Sequence, residues 1–295
     1  MLTGFLLAVV SSLFFSLYVV PRKYSILSPV HFGLFTGLGF FVGSLLLLFL
    51  QPVLQFDEVL TIDLLWSVAA GIVWAYGLVM LIRAIDAIGL SRSNQWKNLQ
   101  GPIGVLLSLI LLGEYAITNV SYVLFAALAM FASAIFFTIR ETVEEQRVGD
   151  RAIYFALMSA VAFGVVTIIN KHVTMVSGVY LQQIVWSSSI FLSLLVYMLW
   201  SNGTVRSIFA VPRRQITLGL LAGFLYLGAS YFMLTAYRHL PASIGFTIIQ
   251  LNAVWTIAIG IFFFKEIHAQ RHLWRVAFGL IMAILGVILL AFALK

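Results

Sequence analysis

The chain of 295 residues contains no cysteine, and only 9% of its residues are charged. The missing cysteines exclude disulfide frameworks, thiolate nucleophiles and cysteine-based metal sites. Acidic residues are also scarce: all ten Asp and Glu residues lie in loops or near the ends of apolar segments. A carboxylate-coupled exporter of organic cations needs an acid in mid-membrane. The sequence therefore argues against that class of transporter.

Apolar residues, in contrast, make up 62% of the chain, and the mean hydropathy is +1.08. Soluble domains are about half apolar and about one quarter charged. A soluble fold of this size could not hide so much apolar surface, so the composition predicts an all-α membrane protein whose main partner is the lipid bilayer. The net charge of +7 sits at the ends of apolar segments, which favours membrane orientation over nucleic-acid binding.

Apolar segments long enough to cross a bilayer recur along the whole chain. The N-terminal segment lacks a basic start and a small-residue cleavage site, so we interpret it as a retained span and not a signal peptide. Breaks at Pro, Gly and charged clusters predict ten transmembrane helices near residues 2–20, 30–50, 62–84, 90–112, 118–139, 152–172, 180–200, 215–238, 243–264 and 272–293.

Positive charges are distributed unevenly between the two sides of these spans. Thirteen of the seventeen Lys and Arg residues lie in the loops between spans one and two, three and four, five and six, seven and eight, and nine and ten. Only Lys171, Arg238 and Lys295 lie on the opposite side. The positive-inside rule then predicts that both termini face away from the cytoplasm, unless these loop charges do not direct topology.

The two halves of the chain are similar in sequence. An offset of 152 residues places Trp74 on Tyr226 and Glu114 on Glu266, and it keeps register from the third to the fourth span. Five spans is an odd number, so a second copy would be inverted relative to the first. We expect two inverted five-helix repeats, residues 1–141 and 142–295, with a substrate site between them near the bilayer midplane. Chance similarity between apolar helices is the alternative.

The motifs that close the fourth and ninth spans, Gly113-Glu114-Tyr115 and Lys265-Glu266, resemble those of the drug/metabolite transporter superfamily, also described as EamA-like. Val20-Pro21-Arg22-Lys23 and Trp74-Ala75-Tyr76-Gly77 are similar to its glucose/ribose and rhamnose uptake branch. The resemblance spans nearly the whole chain and implies ten spans, two repeats and a sugar substrate. The pair Lys97-Asn98 in the fourth span departs from the neutral-sugar members.

Lys97 is the one charge well inside a predicted span. Asn94, Asn98 and Gly101 share its helical face, and Pro102 follows, which favours a kink with free backbone acceptors one turn earlier. The stripe is typical of a helix that lines a wet cavity, where Lys97 could bind an anionic group or take part in proton coupling. The alternatives are a lysine that snorkels to the interface and a structural hydrogen bond to another span.

Aromatic and amide side chains supply the other candidate binding residues. Trp74 and Tyr226 occupy equivalent positions and could stack on a sugar, although packing would explain them as well. Gln250 and Asn252 of the ninth span align with Asn98 and Gln100, and amides suit hydroxyl-rich ligands but also join membrane helices. The predicted substrate-binding set is Trp74, Asn94, Lys97, Asn98, Tyr226, Tyr231, Gln250 and Asn252.

The five histidines lie at span ends without metal-ligand spacing, and no phosphate-binding loop or nucleophile–base pair is visible. We therefore expect no metal, no cofactor and no enzyme activity. The predicted function is secondary transport of a small polar metabolite, neutral or anionic, such as a sugar, an amino acid or an organic anion. A passive channel and an integral-membrane lipid-modifying enzyme are the alternatives. We expect a multi-pass protein of the prokaryotic plasma membrane, with the fifth and tenth spans facing lipid or a second subunit of a homodimer.

Overall fold

The computed structural model describes residues 2–47, 59–136, 143–202, 211–264 and 273–293. The described residues form helices and connecting turns, as a membrane requires when every backbone group must be bonded within the protein. The α-helices are α1 (Leu2–Leu17), α2 (Pro29–Leu46), α3 (Leu64–Ile88), α4 (Leu90–Lys97), α5 (Gln100–Leu111), α6 (Val120–Phe136), α7 (Val143–Ser177), α8 (Val179–Asn202), α9 (Arg213–His239), α10 (Ala242–Ile249), α11 (Asn252–Phe262) and α12 (Leu273–Ala291). Short 3-10 helices cover Val20–Tyr24 and Glu114–Ala116.

The helices follow the ten predicted spans in order, with α4 and α5 together forming the fourth and α10 and α11 the ninth. Seven segments of the described chain are long and apolar enough to cross a membrane. The helices of the fifth and tenth spans, and α5 within the fourth, are shorter apolar helices. The chain is thus an integral, multi-pass, all-helical membrane protein. Lys265 and Glu266, which carry part of the family resemblance, lie outside the described residues.

Local sequence explains where several helices begin and end. Ser28 caps α2 by accepting a hydrogen bond from the amide of His31, and Pro29 occupies the first helical position, where its missing N–H costs nothing. Gly89 separates α3 from α4 at a φ of +83°, a conformation that side chains disfavour. A single glycine therefore reverses the chain between two spans.

The helices pack in a pattern that repeats between the two halves. In the first half α3 packs on α7 and α8, and in the second half α9 packs on α1 and α2. Helices α4 and α5 pack on α7, as α10 and α11 pack on α1. The centre of the bundle is consequently formed by helices from both halves, whereas α6 and α12 pack mainly on each other at its edge.

Two glycines 152 residues apart both allow close helix contacts. A Cβ on Gly223 of α9 would lie 2.3 Å from the carbonyl oxygen of Thr36 on α2. A Cβ on Gly71 of α3, 152 residues earlier, would lie 2.5 Å from the side chain of Ser189 on α8. Both positions need glycine because the neighbouring helix occupies the space of a side chain.

Charged side chains from other helices hold the corner between α9 and α10, which we call the α9–α10 corner (residues 237–243). The carboxylate of Glu114 accepts hydrogen bonds from the amides of Ala242, at 2.5 Å, and Ser243, at 2.8 Å. Lys171 donates to the carbonyls of Tyr237 and Leu240. An anion thus meets the start of α10 and a cation the end of α9, the arrangement that helix dipoles favour. Glu114 therefore stabilises the start of the ninth span, although it follows the C-terminal end of the fourth.

Candidate functional site

A cavity lies at the centre of the bundle, between helices of both halves. Its volume is about 30 Å³, room for about one or two water molecules, so its walls are nearly closed on one another. Helices α1, α3 and α4/α5 contribute from the first half, and α7, α8, α9 and α10 from the second. The lining residues are Phe15, Tyr18, Trp74, Lys97, Gln100, Phe163, Val166, Thr167, Asn170, Trp186, Tyr226, Met233, Phe246 and Ile249.

Seven of the fourteen lining residues are aromatic, and several of these rings contact one another. The ring centroids of Trp74 and Tyr226 are 4.5 Å apart. Tyr18 meets Tyr226 edge to face at 5.1 Å, and Trp186 meets the same ring at 5.8 Å. Each of these rings is at most 3% exposed. Trp74 and Tyr226, which the offset of 152 residues aligns, are therefore in direct contact inside the bundle.

Lys97 is the only charged residue among the described residues that line the cavity. It is 2% exposed, and within the described part of the chain it makes no hydrogen bond and no ion pair. The side chain lies inside the bundle, where it lines the cavity. Gln100, Thr167 and Asn170 are the other polar lining residues outside the aromatic set.

The fourth span is broken beside Lys97, at Asn98 and Leu99, where α4 ends and α5 begins. The amide of Gly101 donates to the carbonyl of Asn98 at 2.9 Å, one residue short of the helical i−4 spacing. Pro102 thus lies in the first turn of α5, where a missing N–H is tolerated. The kink predicted from Pro102 is present as a break in the helix. The carbonyl of Asn98, which Pro102 cannot bond, accepts from the amide of Gly101 instead. The break also places Lys97 and Gly101 in different helices.

The ninth span is broken at the equivalent point, although it has no proline there. Helix α10 ends at Ile249 and α11 begins at Asn252. Around the break, the amides of Gln250 and Leu251 bond three residues back, to the carbonyls of Thr247 and Ile248. Broken helices of this kind expose backbone dipoles at a substrate site in many transporters.

Amides next to the two breaks bond to one another across the bundle. Asn94 donates to Asn252 at 3.1 Å and to the hydroxyl of Thr256 at 2.9 Å. Gln100 donates to Gln250 at 3.5 Å, and Gln250 donates to the carbonyl of Phe246 at 3.2 Å. These amides therefore join the fourth span to the ninth, the structural role that amides can also take in membrane helices.

The structure thus divides the predicted binding set. Trp74, Lys97 and Tyr226 line the cavity. Asn94, Gln250 and Asn252 lie buried beside it within the amide contacts. Asn98 is buried without a hydrogen-bond partner for either side-chain polar atom among the described residues. Tyr231 is partly buried and packs against the core next to Phe232.

The remaining lining residues were not in the predicted set. Phe15 and Phe163 align at an offset of 148 residues, and both line the cavity. Trp186, Thr167 and Asn170 also line the cavity. Many polar and aromatic residues lie within spans, so residue type alone did not single these three out. The repeat alignment was the signal that could have selected Phe15 and Phe163.

Two larger clefts lie between α3 and α8, with volumes of about 270 and 520 Å³. Their walls include Ile72, Val196 and Trp200, whose side chains are between 55% and 81% exposed. Exposed apolar side chains on spanning helices are expected against lipid, so these clefts belong to the outer surface. The central cavity is the candidate site.

Three acidic side chains are engaged away from the cavity. Asp86 forms a two-bond ion pair with Arg22, at 2.8 and 2.5 Å. Asp63 contacts His172 at 3.1 Å, and Glu114 caps α10. No group of three or more His, Cys, Asp or Glu residues within the described ranges could hold a metal ion.

Comparison with known proteins gives a consistent result. A crystal structure of a protein aligns with a TM-score of 0.68 and 15% identity, covering 98% of this chain and 94% of that one, which shows a shared fold. A Listeria innocua protein named "Putative sugar uptake protein lin0215" is 25% identical over 233 residues, covering 77% of this chain and 78% of that protein. The sequence profile of the sugar transport protein family matches residues 35–293. The chain therefore belongs to the sugar transport protein family, and it is a transporter and not an enzyme.

Proposed function

We propose that this protein carries a sugar across the plasma membrane by alternating access, with the central cavity as the substrate site. The observation that carries the proposal is the cavity between the two halves, walled by aromatic rings from both. Family membership supports the sugar substrate, as does the name of the Listeria innocua relative.

Rings and amides together suit a sugar. The apolar face of a sugar ring packs on aromatic side chains, and its hydroxyl groups both donate and accept hydrogen bonds. Trp74, Tyr226 and Trp186 offer faces and edges, while Gln100 and Asn170 offer amides. The cavity is narrow, so binding a sugar requires some outward movement of its walls.

The proposed mechanism is a rocking of two inverted repeats, residues 1–141 and 142–295, around this cavity. Equivalent residues support the relationship: Trp74 and Tyr226 line the cavity, and so do Lys97 and Ile249. The helix breaks and the close glycine contacts also recur 152 residues apart. Helix contacts of the first half have counterparts in the second: α3 packs on α7 and α8, as α9 packs on α1 and α2. The same features favour membership of the wider drug/metabolite transporter superfamily.

Counterflow in proteoliposomes tests this function directly. Vesicles loaded with an unlabelled hexose or pentose should accumulate the same labelled sugar transiently against its gradient. A passive channel, the second candidate, would only equilibrate the label. Absence of both counterflow and equilibration for every sugar would contradict the proposal.

The orientation and assembly of the protein are parts of the same proposal. We propose that both termini face away from the cytoplasm, because the cationic loops lie on the opposite side. We also propose a homodimer in which the outer face of α6 and α12 meets its copy. Exposed apolar side chains on α12 support such a contact, among them Ile281, Ile284 and Ile288.

A further inference from the structure

The cavity contains several hydrogen-bond donors that lack acceptors. The ammonium group of Lys97 has no partner among the described residues. The indole N–H of Trp186 and the Nδ2 amide of Asn170 are buried and likewise unpartnered there. All three residues line the cavity. Buried polar groups are normally paired, so these donors indicate a ligand rich in acceptors.

The Asn170 amide lies next to Gln182 and Thr174. Gln182 donates to the Oδ1 atom of Asn170 at 2.9 Å, and the hydroxyl of Thr174 contacts both the Oε1 atom of Gln182 and the carbonyl oxygen of Asn170. With its oxygen facing Gln182, Asn170 leaves its Nδ2 amide without a partner among the described residues.

The positive charge of Lys97 has no counter-ion in the described structure. The described carboxylates of Asp63, Asp86 and Glu114 are bound to other groups, as shown above. A charged amine at this position is therefore unbalanced in the closed cavity without a ligand.

We infer that the substrate is a sugar acid carrying one carboxylate, which pairs with Lys97 while the sugar ring packs against the aromatic wall. This inference rests on the proposed sugar transport. One lysine matches the charge of one carboxylate, whereas a phosphate ester carries about 1.5 to 2 negative charges near neutral pH. The arginine forks that commonly bind phosphate are absent from the described lining.

The inference is tested by counterflow with matched compounds in proteoliposomes. We compare glucose, glucuronate, the methyl ester of glucuronate and glucose 6-phosphate in the wild-type protein. Glucuronate should exchange with an apparent affinity at least about tenfold higher than that of its uncharged methyl ester, the effect of one charge-assisted hydrogen bond. The galactose series serves as a second ring geometry.

Variants of Lys97 connect the preference to this residue. Lys97→Met should reduce the ratio of acid to ester affinity to near one, and Lys97→Arg should retain part of it. If Lys97→Met does not fold, as judged by size-exclusion chromatography, the wild-type comparison of acid with ester still decides the inference.

The outcomes separate the two proposals. Exchange of neutral sugars with no gain from the carboxylate would overturn the sugar-acid inference and leave sugar transport intact. A preference for glucose 6-phosphate would overturn the assignment of a single carboxylate. Exchange of none of these compounds or of any other sugar would overturn both.

Discussion

The rings of Trp74 and Tyr226 lie 4.5 Å apart at the centre of the bundle, although 152 residues separate them in the chain. We expect Trp74→Leu to lower the transport rate constant kcat/KM about tenfold, because an aromatic contact contributes about 0.5–1.5 kcal/mol beyond its buried area. Sugar counterflow in proteoliposomes measures the effect.

Trp66→Leu is the matched control, since Trp66 lies on the same helix and is 56% exposed. Equal transport by the two variants would show that the Trp74 ring does not contribute to the site.

Glu114 is buried and binds the first amides of α10. Glu114→Gln removes the negative charge at a helix N-terminus, so we expect a loss of about 1–2 kcal/mol in stability. The measurement is the unfolding midpoint in detergent. Asp63→Asn is the control, because it also replaces a carboxylate by an amide. Asp63 lies in a partly exposed pair with His172, so this variant should have little effect on stability. A normal midpoint for Glu114→Gln would mean that this charge does not hold the corner.

Gly223 lies against the backbone of α2, so an added methyl group forces α9 and α2 apart. We expect Gly223→Ala to destabilise the protein by about 1–3 kcal/mol, the usual effect of overpacking. Gly33→Ala is the control, because a Cβ there would meet Leu194 at an ordinary distance of 3.6 Å. Equal unfolding midpoints for the two variants would contradict the close packing.

The absence of cysteine makes the membrane orientation directly measurable. Ile26 and Ile117 are exposed residues in the first and fourth inter-span loops, which the proposal assigns to opposite sides. In intact cells, an impermeant maleimide should label Ile117→Cys but not Ile26→Cys, and permeabilisation should make both reactive. The reverse pattern would place the termini in the cytoplasm.

The proposed dimer predicts that α12 meets its own copy. Ile281 lies on this helix and is 56% exposed. Oxidation of Ile281→Cys in membranes should give a covalent dimer on gels, whereas Leu192→Cys on the outer face of α8 should stay monomeric. No dimer at Ile281→Cys or at neighbouring exposed positions of α12 would favour lipid contact there.

Hydropathy predicted much of this fold from the sequence. Apolar length located the ten helical segments, because lipid requires each segment to satisfy its own backbone. The offset of 152 residues identified Trp74 and Tyr226 as equivalent positions, and their rings are in contact. The break at Gln250 and Leu251 was not predicted, because no proline marks it and only its counterpart in the fourth span indicates it.

The polar residues of the site were harder to assign. Asn94 and Asn252 were predicted to line the cavity, but they bond to each other across the two broken spans. An amide can bond equally well to a ligand or to a second helix, and the sequence does not distinguish these partners. Trp186 was not selected because aromatic residues are frequent in all spans, so only three-dimensional packing identifies it as central. For Phe15, the alignment with Phe163 was the available signal.

The α9–α10 corner, bound by Glu114 on one side and Lys171 on the other, has a mechanical consequence. Glu114 binds the start of α10 and Lys171 binds the end of α9, so rotation of either helix about the corner would break these hydrogen bonds. We therefore expect the corner to move together with the helical segments that carry Glu114 and Lys171. Under the proposed alternating access, we then expect the ninth span to bend at its break at Gln250 and Leu251 and not at this corner.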